Sequence, residues 1–157
     1  MNIRLLTIGK TDSKNLQLLI DEYQKRLSFY VKFDLEIIPD IKNVKNLSER
    51  QQKEKEGALI LSKIGATDYL VLLDENGKSF SSVDFAEEIQ KKMNSGIKTL
   101  VFVIGGPYGF SAEVYEKAKG KIALSEMTFS HQMVRLFFTE QLYRAYTILR
   151  NEPYHHQ

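Results

Sequence analysis

Apolar and polar positions along the chain switch between two periods. Ile3-Arg4-Leu5-Leu6-Thr7-Ile8 is a short apolar run ending at Gly9, and it predicts a strand. From Asn15 to Phe29 the period lengthens, with Leu16, Leu19, Ile20, Tyr23 and Leu27 at helical spacing. Phe33-Asp34-Leu35-Glu36-Ile37 returns to alternation and is closed by Pro39, which predicts an edge or half-exposed strand. Leu47 to Ile64 reads as a long helix that is very polar from Ser48 to Glu56. Its apolar face begins only at Ala58, Leu59, Leu61 and Ile64. Gly57 inside it costs about 1 kcal/mol relative to Ala, so a kink or break is expected there.

Tyr69-Leu70-Val71-Leu72-Leu73 is uninterrupted and apolar, as in a strand buried on both faces. Asp74 to Lys78 then reads as a loop. Ser81 and Asp84 predict a helix start, with Phe85, Ile89 and Met93 at i, i+4 and i+8 and Gly96 as the stop. Leu100-Val101-Phe102-Val103-Ile104 predicts a second buried strand, running into Gly105-Gly106-Pro107-Tyr108-Gly109. Ser111 can cap a short helix to about Lys119, and Ile122-Ala123-Leu124 predicts a brief strand. His131 to Leu149 closes the series as a helix with Val134, Phe138, Leu142, Ala145 and Leu149 on its core face. The order β-α-β-α-β-α-β-α-β-α argues for an α/β fold, a mostly parallel sheet with helices on both faces. In such sheets ligands bind beyond the carboxyl ends of the strands, which directs attention to the loops after Leu73, Ile104 and Leu124.

Composition narrows the chemistry. The 157 residues suit one domain spanning 1–157, with no repeat or linker to divide it. There is no cysteine, which excludes disulfides, thiolate zinc sites, iron–sulfur clusters and Cys nucleophiles. No apolar run approaches the length of a membrane span, and no secretory signal is readable, so a soluble cytoplasmic protein without membrane attachment is expected. Lys and Arg number 22 against 20 Asp and Glu, a net charge of +2, which is far from the basic footprint of many nucleic-acid binders.

Three segments could carry chemistry. The Gly105–Gly109 turn lets a ligand approach the backbone and leads into a helix N-terminus with unpaired N–H groups. It is neither GxGxxG nor a Walker loop, and a plain tight turn is equally compatible with it. Leu124 to His131 mixes apolar side chains with free backbone groups, as an adenine pocket would; Ser130 as helix cap and Phe129 as hydrophobic staple is the simpler reading. On the last helix, His131, Arg135 and Thr139 share a stripe off the expected core face, and Glu140 and Arg144 form an i, i+4 pair. All three histidines lie within 131–157, two of them in the tail Pro153-Tyr154-His155-His156. No metal site is expected, because no ligand cluster accompanies them.

Gly105-Gly106-Pro107-x-Gly109, Leu124-Ser125-x-Met127-Thr128-Phe129-x-His131, Glu140-Gln141-Leu142-Tyr143-Arg144-Ala145 and Pro153-Tyr154-His155 together resemble the RlmH family. The resemblance runs end to end and includes Ile8-Gly9-Lys10, Glu22-Tyr23-x-Lys25-Arg26-Leu27 and Lys53-Glu54-Lys55-Glu56-Gly57. That family comprises SPOUT-superfamily methyltransferases that methylate N3 of a pseudouridine in 23S ribosomal RNA of the large subunit. The resemblance implies a SPOUT-type C-terminal trefoil knot, a homodimer, and S-adenosyl-L-methionine (S-adenosylmethionine) bound in the knotted loops. By position, the cofactor contacts would fall at Leu73, Gly105, Leu124, Ser125, Glu126, Met127, Thr128 and Phe129. Arg135, Arg144, Tyr154 and His155 are the catalytic candidates, for positioning RNA and managing the imino proton. Two departures stand out: Ser130 replaces a common Pro, and His156 stands where Lys or Arg is frequent. Two other classes stay open on the residues alone: a non-catalytic ribosome-assembly factor, and a flavodoxin-like domain using the Gly105–Gly109 turn.

Overall fold

The computed structural model describes residues 1–156. Five strands form one parallel sheet: β1 (Asn2–Ile8), β2 (Phe33–Ile38), β3 (Tyr69–Ser79), β4 (Thr99–Ile104) and β5 (Gly120–Ala123). Their spatial order is β2-β1-β4-β3-β5. Five α-helices connect and cover them: α1 (Lys14–Leu27), α2 (Glu49–Ser62), α3 (Ser82–Asn94), α4 (Ala112–Lys117) and α5 (Met133–Leu149). The expected α/β architecture is therefore present.

Alternation along the strands divides the core in two. Ile3 and Leu5 of β1, Val71 of β3 and Leu100, Phe102 and Ile104 of β4 face the layer that contains Phe85 and Ile89 of α3 and Phe138 and Leu142 of α5. Leu6, Ile8, Leu70, Leu72, Val101 and Val103 face the opposite layer, with Ile60 of α2 and Val114 of α4. Crossovers stepping toward the β2 edge run on the first face and those stepping toward the β5 edge run on the second. All four consequently share one hand, as strand twist requires. β2 is an edge strand as expected, although Ile37, on the apolar side of its alternation, is exposed and Ile38 is buried instead. No helix among the described residues is long and apolar enough to cross a membrane.

The caps at Ser81 and Ser111 form as expected, each accepting a backbone N–H from three residues on. Ser48 adds a full capping box with Gln51, which starts the polar helix α2. Three expectations need correction. The segment Asp74–Lys78 is not a free loop: β3 extends to Ser79, and Lys78 and Ser79 pair again with β5 after an irregularity beyond Leu73. A Cβ at Gly77 would lie 2.6 Å from the backbone of Ile122, so only glycine lets the two main chains cross this closely. Gly57 does not break α2, which runs unbroken from 49 to 62. Its missing side chain instead lets α2 press against α4, where a Cβ would stand 2.3 Å from Ser111 Oγ. Arg135 and Thr139 are not off the core: both are fully buried, because α5 packs against α1 on one side and α3 on the other.

Next to Gly57 in α2, Glu56 is only 3% exposed and lies against the Gly105–Gly109 turn, its Oε2 at 2.4 Å from where a Cβ of Gly106 would be. Gln52 Nε2 donates to Oε1 at 3.0 Å, while Oε2 has no hydrogen-bond partner among the described residues. Burial holds this carboxyl above its usual range, reinforced by Asp40 and opposed by Gln52 and His131.

Two outcomes follow from α2. Gly57→Ala gains about 1 kcal/mol of helix propensity but crowds the buried Ser111 cap, and overpacking costs roughly 1–3 kcal/mol; the urea midpoint should fall, and a rise would refute the close-packing account. The folded state keeps the Glu56 proton to higher pH than the unfolded chain, so this group drains stability as pH climbs past about 4.3. Glu56→Gln lacks that slope. Its stability relative to the parent should therefore improve between about pH 4 and about pH 7, as read from denaturant midpoints at both values.

Candidate functional site

The Leu73–Asn76 stretch within β3 and the loops after β4 and β5 converge on one cleft of about 420 Å³. Its apolar lining comes from strand ends, with Leu73, Ile104, Ile122 and Leu124, and from Val134 at the start of α5. Its polar lining comes from the Gly105–Gly109 turn and from Asp74, Asn76, Ser125, Thr128 and His131. Gly109 adopts φ +79, and its N–H donates to Gly106 O at 3.2 Å, which closes the turn. Residues of this conformation favour glycine because a Cβ would be strained there.

The far wall is held by side-chain bonds. Tyr115 donates to Asp74 Oδ2 at 2.5 Å, and Asp74 Oδ1 accepts the Asn76 N–H at 2.8 Å. Burial and the Asp74 carboxylate push the Tyr115 hydroxyl up to about 12. Tyr115 therefore stays protonated and acts as a brace rather than a base. The Ser125 hydroxyl accepts the Met127 N–H at 2.9 Å, folding the loop back on itself. Ser130 O accepts the Val134 N–H and Ser130 Oγ the Met133 N–H, at 3.0 and 3.2 Å, so Ser130 starts the last helix. Regular helix begins at Met133, two residues later than the pattern suggests. Phe129 packs tilted against Phe137 with ring centroids 4.9 Å apart, one turn beyond the Val134 contact that a hydrophobic staple would make.

Seven of the eight positions expected at a cofactor line this cleft: Leu73, Gly105, Leu124, Ser125, Met127, Thr128 and Phe129. Glu126 is exposed and outside the lining. His131 also lines the cleft.

The four basic and tail candidates fall elsewhere. The Arg135 guanidinium donates to Ile8 O at 2.8 Å and to Thr11 Oγ1 at 3.1 Å. It thereby pins α5 to the end of β1, and burial lowers its pKa against the opposing pull of Asp12 and Asp40. Gln132 ties the same loop down, accepting from Asp12 N and donating to Lys10 O, both at 3.1 Å. This explains Ile8-Gly9-Lys10 as the seat of α5, a role that its sequence alone does not signal.

Arg144, Tyr154 and His155 form a second cluster, ten residues along α5 from Val134 and so about 15 Å from the cleft. Asn151 takes the left-handed conformation, φ 55, and turns the chain back. Glu152 accepts from the Tyr30 hydroxyl, and Tyr154 donates to Glu140 Oε1 at 2.9 Å. Glu140 also receives Arg144 Nη2 at 2.5 Å, and the Arg144 guanidinium lies 4.7 Å from the Tyr154 ring centroid. Tyr23 reaches the Tyr154 hydroxyl at 3.1 Å. Burial and these partners raise the Tyr154 hydroxyl well above its usual range. His155 Nδ1 sits 3.4 Å from Arg144 Nη1. Among the described residues no group of His, Asp and Glu is disposed to hold a metal ion.

A family model described as "Predicted SPOUT methyltransferase" matches residues 1–155. Proteins named ribosomal RNA large subunit methyltransferase H are similar over the whole length of both chains: those of Flavobacterium johnsoniae and Flavobacterium psychrophilum are each 80% identical to this chain, and that of Christiangramia forsetii 68%. With the cleft at the carboxyl edge of a parallel sheet, these matches establish that the chain belongs to the SPOUT methyltransferase family.

Proposed function

We propose that this methyltransferase transfers a methyl group from S-adenosylmethionine to N3 of a pseudouridine in 23S ribosomal RNA, acting on the assembled ribosome as a homodimer. The observation that carries the reading is the convergence of Leu73, Gly105 and Leu124–Phe129, separated in sequence, on one cleft. The names of the full-length relatives support an RNA substrate of the large subunit. A ribosomal substrate implies a cytoplasmic location.

The cleft fits the cofactor. Its apolar walls suit an adenine ring, and its glycine turn and 124–129 loop offer main-chain donors and acceptors at the rim. Bound S-adenosylmethionine supplies an activated methyl group and a positive sulfur that favours a deprotonated nitrogen nearby. The protein's share is orientation, exclusion of water and placement of the proton acceptor. Gly105 and Leu124–Phe129 hold the adenosyl part, and Leu73, Ile104 and Val134 keep its surroundings dry. Arg135 acts at a distance by seating α5.

The tail's place follows from its separation from the cleft of its own chain. Tyr154 is anchored to Glu140 and Tyr23, so His155 and Arg144 reach a cleft only across a dimer. Met127 at 76% exposure, with Met133 and Phe137 partly exposed beside the cleft, gives the apolar surface for that contact. The trefoil knot belongs to this proposal, and the close Gly77–Ile122 crossing is where threaded main chains would touch.

Incubation with methyl-labelled S-adenosylmethionine and ribosomes, followed by nucleoside analysis, should yield labelled 3-methylpseudouridine. No incorporation would leave a binding protein instead of an enzyme. Gly105→Ala puts a Cβ 3.1 Å from the Phe110 ring; cofactor affinity by calorimetry should drop about tenfold, or 1.4 kcal/mol, with the cooperative thermal transition retained. Deleting residues 153–157 should abolish methylation while cofactor affinity holds. Full activity without the tail would overturn its role.

A further inference from the structure

A second cavity, of about 290 Å³, opens on the other side of Ile122, between α3 and the β5 edge of the sheet. Its floor is apolar: Val71, Phe85, Phe102 and Ile122. Two aromatic rings flank it, and each carries an ammonium group. Lys78 Nζ lies 4.6 Å from the Phe80 ring centroid, and Lys92 Nζ the same distance from that of Tyr69. Lys119 and the main chain of Lys121 complete the lining, the Lys121 ammonium lying on the other face 5.5 Å from the Tyr115 ring centroid, and Glu88 is the groove's one acid. Glu88 pairs with Lys92 at 2.9 Å, whereas Lys78, Lys119 and Lys121 form no ion pair among the described residues. The groove is therefore basic, although the segment that builds it is not basic in composition.

Gly120 keeps this space open. It pairs with Val71, whose side chain faces the same layer, and a Cβ at Gly120 would meet nothing within 4 Å. The main chain is not in the left-handed region there, so no conformational demand explains the glycine. β5 is also an edge strand, leaving main-chain donors and acceptors along the rim. Flat apolar floor, aromatic walls and unneutralised lysines together are the means by which proteins hold single-stranded nucleic acid. Ile122 lines both cavities, and the strand that carries Lys78 also borders the cleft through Asp74–Asn76, so one RNA strand can pass from one to the other.

We propose that this groove binds one unstacked nucleotide of the substrate RNA, its base on the floor between Tyr69 and Phe80 and its phosphate on Lys78 and Lys119. The inference rests on the RNA methyltransferase reading and adds a second contact to it. Charge complementarity and ring-sized walls favour this occupant over an acidic peptide, whose backbone would make no use of the aromatic pair.

The test uses the full chain, a fluorescein-labelled single-stranded oligouridylate and fluorescence anisotropy. Gly120→Val fills the groove without changing charge, and Phe80→Leu removes a ring. Each should weaken RNA binding about tenfold, as expected for one lost base stack. Lys78→Gln should weaken binding and lower the salt dependence by about one phosphate contact. All three should keep the parent's cofactor affinity and melting temperature, and with ribosomes should raise KM while leaving kcat unchanged. Binding by all three within twofold of the parent overturns the proposal. So does loss with Lys78→Gln alone, which would show a diffuse charge effect, or displacement of the RNA by polyglutamate from the parent but not from Gly120→Val. Because anisotropy needs no methyl transfer, absence of methylation with intact groove binding would count against the enzyme reading and not against the groove.

Discussion

The seating of α5 on the end of β1 governs the site, and a buried guanidinium holds it. Arg135 has no solvent exposure, and its nearest partners are a main-chain carbonyl and a threonine hydroxyl, not a carboxylate. A guanidinium stays charged in a protein, so its desolvation must be offset by well-aimed acceptors and by nearby acids. Ile8 O and Thr11 Oγ1 supply the first, and Asp12 and Asp40 the second. Moving α5 would strand that charge. The helix start, with Ser130, His131 and Val134, is thereby held against the loop that walls the cleft.

Close main-chain approach is the second constraint. At Gly57, Gly77 and Gly106 an added Cβ would fall within 2.6 Å of another atom, in each case between segments distant in sequence. Gly57 joins α2 to the cap of α4, and Gly77 lets β3 cross β5. Gly106 lies on the Glu56 carboxylate. At Gly77 main chain meets main chain, and at Gly57 and Gly106 the backbone meets the Ser111 and Glu56 side chains, so that substitutions are felt even when volume changes by one methyl group. A site built this way presents main-chain donors and acceptors with little freedom to reorganise, which suits the orientation that methyl transfer demands.

Much of this was legible in the residues. Uninterrupted apolar runs at 69–73 and 100–104 announced the buried strands, and serine caps at 81 and 111 marked helix starts, because these signals are local. The strand-end loops were also legible, since a parallel sheet places ligands there. The failures have a common cause in long-range packing. A helical template assigns Arg135 and Thr139 to the outer face of α5, yet neighbours on both sides bury a wider arc than one stripe. Asp74–Lys78 reads as turn residues, and its second pairing with β5 depends on a crossing that no local pattern records. Gly57 reads as a helix breaker, although its purpose lies in Ser111, more than fifty residues away.

The net charge of +2 gains a different meaning in three dimensions. Residues 1–33 carry six basic and three acidic side chains, and residues 131–157 three and two, whereas the middle holds thirteen and fifteen. That acidic middle nevertheless gathers Lys78, Lys92 and Lys119 around one groove opposed by a single glutamate. Lys91 also pairs with that glutamate, Glu88, and away from the groove Lys63 is spent on Glu36, which Arg4 and Lys63 hold below the usual carboxylate range. Weak overall charge limits the salt-dependent, sequence-blind attraction to any phosphate backbone. Recognition of an RNA must then depend on shape and on bases presented unstacked. A nearly neutral protein with localised basic sites is selective because most RNA surfaces cannot meet all of those sites at once.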